Sequence, residues 1–218
     1  MKMKILALEF SAPQRSVAIV NKDKVFEIVE TSARRTDAFG MIEKVLRAAQ
    51  IEREEIECLA IGLGPGSYHG IRAAIALAQG WQLANGVKIL GVSSAEAVAV
   101  EAQAEGLFGK VRVVIDAQRK EFYSAQYEIS PAGCHEISPL RIAILAEVLS
   151  YEAGNEVLIG PEATQWFRTA KIISPRATTV GKLAAQRSDF VTGDRLEPIY
   201  LRETTFVKAP PLRVILEK

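Results

Sequence analysis

The sequence contains 218 residues, of which 49% are hydrophobic and 24% charged, so it is long enough to bury one large core or two smaller ones. The formal net charge is +1, which argues against autonomous tight binding to nucleic acid, because such binding draws most of its affinity from neutralised phosphates. Two cysteines, Cys58 and Cys134, are too few for a secreted disulfide framework. No apolar stretch reaches the ~18 residues of a membrane span, and we expect a cytoplasmic chain without a membrane contact.

The first half is predicted to combine strands and helices. Short apolar runs at 4–8, 16–20 and 25–30 predict three strands in an antiparallel meander. Helical spacing follows at 37–50, with Asp37 as the N-cap. The other predicted elements are a strand at 58–62, a helix from about 70 to 84, a strand at 88–92 and a helix that is capped by Ser93 or Ser94 and runs to about 103. The predicted order is βββαβαβα.

The second half begins in the same way but is less regular. The patterns predict strands at 111–116, 121–129 and 156–160 and helices at 161–170 and 180–187. The first strand of each half ends in an acid, Glu9 or Asp116. The sequence therefore predicts an α/β fold of two related units, residues 1–106 and a smaller unit at 107–218, with the boundary within 106–110.

The stretch GLGPGSYHGIR at 62–72 leads from a predicted strand into a predicted helix. Its spacing fits neither a P-loop, which needs a Gly-Lys-Ser/Thr end, nor the G-x-G-x-x-G dinucleotide fingerprint. Free amides at the helix N-terminus, with Arg72, could hold an anion. The alternative is a tight turn that lets the helix pack closely. We favour the turn, and its structural residues are Gly64, Pro65, Gly66, Ser67 and Gly70.

The predicted helices at 37–50 and 71–84 have unusually wide apolar arcs. A helix that covers a sheet needs a stripe of only a little over 100°. The extra apolar surface indicates either burial within one domain or a contact with another protein, and the pattern does not separate these two interpretations.

Residues with recognisable chemistry are sparse. Glu9 and Asp116 could orient magnesium-bound water, as acids do at the nucleotide cleft of sugar-kinase and actin-like folds, or they could stabilise turns. The two histidines, His69 and His135, form no H-x-x-x-H pair, and no G-x-S-x-G elbow is present. We therefore predict no catalytic residue and no metal site built from histidine or cysteine. Glu9 and Asp116 are the candidates for nucleotide or metal binding.

Five segments together resemble the TsaB (YeaZ) family. The segment at 62–72 is similar to its Gly-Pro-Gly-Ser-Phe-Thr-Gly-x-Arg signature, and 4–20 is similar to its opening strands. The segments ILGVSSAEAVA at 89–99, IDAQRKEFYSAQY at 115–127 and PIYLRE at 198–203 resemble its later motifs in the same order. The resemblance spans nearly the whole chain.

The resemblance implies an actin-like ATPase (ASKHA, ribonuclease H-like) fold with a βββαβα core in the first unit. It also implies a non-catalytic partner of TsaD, which transfers threonylcarbamoyl to adenosine 37 of tRNAs reading ANN codons (t6A formation), with the ATPase TsaE in the same assembly. The chain itself would require no cofactor, and ATP or ADP would lie at the partner interface. It would contact tRNA only through the complex and would form a homodimer when TsaD is absent. A transferase or M22 peptidase-like label is expected by homology. The residues predicted to contact the partner are Phe39, Met41, Ile42, Val45, Leu46, Ile71, Arg72, Ile75 and Gln79.

Several positions differ from the family pattern. Glu9-Phe10, Arg35-Thr36-Asp37 and Tyr68-His69 stand where the family has Asp-Thr, His-Ser-Glu and Phe-Thr. TsaD itself carries a metal-binding His-x-x-x-His, which this sequence lacks. Two other hypotheses remain: a small ASKHA phosphotransferase or ATPase that uses Glu9 and Asp116 with magnesium, and a self-associating scaffold.

Overall fold

The structure, a computed structural model, describes residues 3–31 and 37–202. The first sheet has five strands in the order β3-β2-β1-β4-β5. Strands β1 to β3 form the predicted antiparallel meander, and β4 and β5 continue the sheet in parallel with β1. The elements are β1 (Lys4–Glu9), β2 (Gln14–Asn21), β3 (Lys24–Thr31), α1 (Ala38–Ala49), β4 (Cys58–Gly62), α2 (Tyr68–Asn85), β5 (Lys88–Val92) and α3 (Ser94–Ala104). The predicted order βββαβαβα is confirmed.

Alternation along β1 explains how helices cover both faces of this sheet. Leu6 and Leu8 point to the face that α1 and α2 cover, whereas Ile5 and Ala7 point to the opposite face. Successive strand side chains point to opposite faces, so a strand that is apolar at every position must be covered on both sides. None of the described helices is both long enough and apolar enough to cross a membrane.

The second sheet repeats the strand arrangement of the first, in the order β8-β7-β6-β9-β10. Its elements are β6 (Gly109–Asp116), β7 (Glu121–Ser130), β8 (Gly133–Ile144), α4 (Leu145–Ala153), β9 (Val157–Gly160), β10 (Lys171–Ile172) and α5 (Ala177–Ala184). Strand β8 and helix α4 were not predicted, and they complete a second βββαβ series. The predicted helix at 161–170 is wrong, because only a 3-10 turn at Ala163–Gln165 forms there. The helix predicted at 180–187 begins and ends three residues earlier.

Two helices pack on the sheet of the other unit. Helix α3 follows β5 but covers the second sheet, through Val98, Ala99 and Ala102. Helix α5 follows β10 but covers the first sheet, through Ala177 and Val180. The two helices also contact each other, so they form a layer between the sheets. The predicted division between residues 106 and 107 falls between α3 and β6, and this packing crosses it.

After α5, residues 190–202 form a segment without strands or α-helices that contains one 3-10 turn at Gly193–Arg195, and it is here called the C-terminal strap. It pairs with the edge of the first sheet and then passes along α2 and the loop before it. The strap ends at the turn between β6 and β7. Its hydrogen bonds include Val191 N to Ile89 O (2.9 Å), Gly193 N to Gln82 Oε1 (2.6 Å), Ile199 N to Leu63 O (2.9 Å) and an Arg202 guanidinium nitrogen to Ala117 O (2.8 Å).

Candidate functional site

The loop between β4 and α2 lies directly on the backbone that follows β1. Ser67 N donates to Ser11 O at 2.7 Å, and the Ser67 hydroxyl accepts from Gly70 N at 3.3 Å, which caps α2. A methyl group added at Gly66 would lie 2.2 Å from Ser11 O, and one added at Gly70 would lie 2.0 Å from Phe10 O. Only glycine allows this approach of two backbones. The loop therefore holds the N-terminus of α2 against the end of β1.

The first part of the loop is tied to α3. Gly64 N donates to the Ser94 hydroxyl at 3.1 Å, and Ser94 N donates to Gly64 O at 2.7 Å. Gly64 has φ = +86°, a left-handed conformation that favours glycine, and Pro65 follows it through a cis peptide bond and is buried. These contacts support a structural role for the five loop residues.

Glu9 ends β1 beneath this loop and is 0% exposed. Its Oε1 accepts from Ser11 N at 2.7 Å, and its Oε2 accepts from the Ser94 hydroxyl at 2.8 Å. Burial raises the pKa of Glu9, and the hydrogen bonds from Ser11 and Ser94 partly oppose that rise. Gly62 leaves the room that the carboxylate occupies, because a methyl group there would lie 2.0 Å from Oε2. Glu9 thus joins β1, the loop and α3.

Asp116 ends β6 and is half-buried. Its Oδ1 accepts from Gln118 N at 2.7 Å, in a turn where Gln118, Arg119 and Lys120 all have positive φ, between 59° and 67°. Burial and the charge of Asp116 raise the pKa of Glu162. Glu9 and Asp116 therefore have separate local partners. Within residues 3–31 and 37–202, no group of three or more His, Cys, Asp and Glu side chains could hold a metal ion.

Most of the predicted partner contacts lie in the core. Six of the nine are buried between the helices and the first sheet: Met41, Ile42, Val45, Leu46, Ile71 and Ile75. The apolar arcs of the two helices are wide because α1 packs across β2 and β3, and α2 packs across β1, β4 and β5. Each of these six residues is 6% exposed or less in the isolated chain, so their contact with a partner stays a prediction. The exposed members are Phe39 (69% exposed), Arg72 and Gln79.

The outer side of α2 is exposed and largely apolar, and it is here called the α2 face. It consists of Arg72, Ala73, Ala76, Gln79, Gly80 and Leu83. Leu83 is 90% exposed, and the alanines and Gly80 leave the helix surface flat. Gln79 Nε2 also donates to Gly193 O of the C-terminal strap at 2.8 Å. A rigid helix with a flat apolar side is suited to packing against another helix.

Comparison with known proteins places this geometry in a family. The family model for TsaD, tRNA N6-adenosine threonylcarbamoyltransferase, matches residues 25–190. The tRNA threonylcarbamoyladenosine biosynthesis protein TsaB of Escherichia coli K12 is 27% identical over 96% of this chain and 99% of its own length. The TsaB of Haemophilus influenzae is 28% identical over 94% of this chain and 97% of its own length. The chain belongs to the TsaB (YeaZ) family.

A solved structure supports the same fold for this TsaB-family chain. A Pseudomonas aeruginosa protein described as similar to peptidase YeaZ superposes with a TM-score of 0.80 at 23% identity, covering 92% of this chain and 100% of that one. With the repeated strand order of the two sheets, the chain has the two-unit, ASKHA-like α/β fold. The peptidase description belongs to that protein.

The divergent positions of this TsaB-family chain have identifiable local roles. Phe10 is buried in the core beside α1 and α2, and Asp37 caps α1 by accepting from Gly40 N at 3.0 Å, as predicted. Arg35 and Thr36 lie outside the described residues. Tyr68 and His69 are exposed at the first turn of α2.

Sequence reasoning missed three features of this region. Leu83 and the stacking of Tyr68 on Tyr200 were not predicted, and Ser94 was considered only as a helix cap. Leu83 continues the spacing of Ala76 and Gly80 along one side of α2, so helical periodicity could have found it. Tyr200 lies in an extended segment without periodicity, and no local pattern marks it.

Proposed function

We propose that this chain is a non-catalytic assembly subunit in t6A formation. It would associate with TsaD, which transfers threonylcarbamoyl to adenosine 37 of tRNAs reading ANN codons, and with the ATPase TsaE. The names of the relatives in Escherichia coli and Haemophilus influenzae support the pathway. The observation that carries the assembly role is the α2 face, an exposed apolar surface on a helix whose N-terminus is fixed by backbone contacts.

The state of Glu9 supports the absence of catalysis by this chain. A phosphotransferase of this fold would need an acid that faces substrate or magnesium-bound water. Both carboxylate oxygens of Glu9 instead accept hydrogen bonds from Ser11 and Ser94, and the residue is fully buried. Releasing Glu9 would leave Ser11 N and the Ser94 hydroxyl without their acceptor, which is unfavourable for buried polar groups.

The α2 face supports an interface of helix against helix. It combines flat apolar positions with Arg72 at one end and Leu83 at the other. Interfaces of this kind have an apolar centre and a more polar rim. When TsaD is absent, the same surface would be covered by a second copy of this chain. Because the face can be covered by only one partner at a time, TsaD would replace the second copy. ATP or ADP would lie at the partner interface, and tRNA would be met only in the complex.

The test is co-purification of this chain with TsaD and TsaE, followed by an assay of threonylcarbamoyl transfer to tRNA. Ala76→Glu and Leu83→Glu place charges on the α2 face and should reduce complex formation at least tenfold while the chain stays folded. Ile172→Glu is the matched control, because Ile172 is exposed but lies on β10 of the second sheet. Light scattering with and without TsaD should show exchange of the homodimer for the complex.

Two results would contradict the proposal. One is full complex formation and transfer with both α2 variants. The other is ATP hydrolysis by the isolated chain that Glu9→Gln abolishes, which would instead support the phosphotransferase hypothesis.

A further inference from the structure

An aromatic pair is exposed beside the N-terminus of α2. The rings of Tyr68 and Tyr200 stack with centroids 5.5 Å apart and an interplanar angle of 17°. Tyr68 is 52% exposed and Tyr200 39% exposed. The Arg72 guanidinium lies 5.2 Å from the centroid of the Tyr68 ring, and His69 meets that ring edge-on at 5.4 Å. Stacked rings are usually buried in a core, so this exposed pair needs a further explanation.

The C-terminal strap carries this pair towards a basic turn. Tyr200 and Arg202 are two residues apart in extended chain, which corresponds to about 7 Å. Arg202 donates to the carbonyls of Ala117 (2.8 Å) and Gln118 (3.3 Å), in the turn that exposes Arg119 and Lys120. Arg202 also pairs with Glu121 at the start of β7, which neutralises the acid that follows the turn.

Apart from Arg202, the cations of this region have no acidic partner within the part of the chain that the structure describes. Among the described residues, the side chains of Arg72, Arg119 and Lys120 make no ion pair or hydrogen bond, and Arg72 makes only its ring contact. Some basic side chains elsewhere on the surface pair with acids, as Lys44 does with Glu30 and Arg53 with Glu43. A polyanion could therefore contact these three cations without displacing a carboxylate from them, since Asp116, at the start of the same turn, bonds to Gln118 N.

We propose that this aromatic and basic strip, formed by Tyr68, His69, Arg72, Tyr200, Arg119 and Lys120, binds a single-stranded segment of RNA. Unpaired bases stack on tyrosine and arginine side chains, and every base offers a face for such stacking. The arginine and lysine side chains of the adjoining turn would contact the phosphates that connect those bases. The inference rests on the proposed function, which supplies the RNA, the tRNA substrate. It adds a direct contact between this chain and that tRNA.

The number of cations in the strip sets the expected affinity for RNA and its dependence on salt. Three cations imply a slope of log affinity against log salt of about −2 for single-stranded RNA. With a net charge of +1 over the whole chain, binding by the isolated chain is weak, and the contact gains effect when the complex holds the tRNA nearby. The strip then orients a single-stranded part of the tRNA and does not supply most of the affinity.

The test measures fluorescence anisotropy of a labelled single-stranded oligouridylate and of a duplex RNA of equal length with the full chain. The single strand should bind more tightly than the duplex. Tyr200→Leu, which keeps an apolar side chain but removes the aromatic ring, should weaken binding about fivefold or more, whereas Tyr200→Trp should retain it. The double variant Arg119→Gln/Lys120→Gln should reduce the salt slope to about −0.7.

The matched control is Lys22→Gln/Lys24→Gln. Lys22 lies in the turn between β2 and β3, Lys24 is the first residue of β3, and both are exposed. This turn is at the opposite end of the first sheet from Glu9, because Asn21 pairs with Lys4 whereas Ser16 pairs with Glu9. This variant removes two charges from one turn and should leave the affinity for the oligonucleotide and the salt slope unchanged. Thermal melting of every variant separates loss of binding from loss of folding.

Four outcomes decide between the hypotheses. Equal affinities and salt slopes for the strip and control variants would overturn the inference. Strip variants that no longer bind TsaD but still bind RNA would also overturn it, because the strip would then be a protein interface. If the complex forms and modifies tRNA with the strip variants as efficiently as without them, the inference fails and the proposed function stands. If the chain does not associate with TsaD but binds the oligonucleotide through the strip, the proposed function fails and the inference stands.

Discussion

Alanine at Gly70 should destabilise the chain, although alanine is usually favourable in a helix. The added methyl group would lie 2.0 Å from Phe10 O, about 1.4 Å closer than ordinary contact. The obstacle is backbone, so no side-chain rotation relieves it. Overpacking of this kind costs about 1–3 kcal/mol, and separation of α2 from β1 would also weaken the Ser67–Ser11 hydrogen bond, worth about 0.5–1.5 kcal/mol. Helix propensity returns at most about 1 kcal/mol.

We therefore expect Gly70→Ala to lower the free energy of unfolding by about 2 kcal/mol and Tm by about 4–8 °C for a chain of this length. Gly80→Ala on the same helix is the control, because nothing lies within 4 Å of a methyl group there, and it should raise stability by about 0.5–1 kcal/mol. Urea unfolding and thermal melting measure both variants. If Gly70→Ala were as stable as the parent chain or as Gly80→Ala, the explanation of the loop by close backbone contact would be refuted.

Three further predictions concern buried polar groups. Ser94→Ala leaves Glu9 Oε2 and Gly64 N without a partner and should lower the free energy of unfolding, measured in urea, by about 2–3 kcal/mol. The control is Ser150→Ala at an exposed site, which should change the free energy of unfolding by less than about 0.5 kcal/mol. Burial raises the pKa of Glu9 above 4.5 in the folded chain. The contribution of Glu9 to the free energy of unfolding therefore falls as pH rises from 4.5 through the folded pKa. Glu9→Gln should flatten the profile of unfolding free energy against pH, and parallel profiles for the variant and the parent chain would contradict this explanation. Arg112 is 5% exposed and donates to Glu156 at 2.7 Å, so Arg112→Met should cost about 3 kcal/mol, and Arg187→Met, which breaks the exposed pair with Asp189, should cost less than about 1 kcal/mol.

Local chemistry made much of the first unit predictable. Its strands are short apolar runs between polar turns, and its helices begin at residues whose side chains satisfy free amides. Asp37 and Ser93 accept from Gly40 N and Glu96 N, as the sequence indicates. Each of these signals lies within a few residues of the element that it marks, so no tertiary contact was needed to find it.

The second unit was harder to predict because its elements depend on distant contacts. Strand β8 is an edge strand that contains Pro139 and several exposed polar residues, and an edge position tolerates proline that a central strand would not. The helical pattern at 161–170 arises from Ala163 and Phe167, which are four residues apart and enter one core cluster. A single 3-10 turn is enough to bury both, so the pattern indicated a helix that does not form.

The candidate surface shows a different limit. The sequence identified α1 and α2 as helices with excess apolar surface, but it could not distinguish Met41, which is buried, from Phe39, which is exposed. That distinction depends on how many strands each helix covers. The pairing of Tyr68 with Tyr200 joins residues 132 positions apart, and such a contact is visible only in the folded chain.

The placement of α3 and α5 makes the two halves of the molecule mutually dependent. A fragment that ends near residue 106 would contain α3 but not the sheet that α3 covers, and it would lack α5, which covers its own sheet. The complementary fragment would have the reverse deficiency. Each piece should therefore expose an apolar sheet face when it is alone, and the two pieces should restore one another when mixed. Because the two halves exchange helices, we expect the chain to unfold in a single cooperative transition.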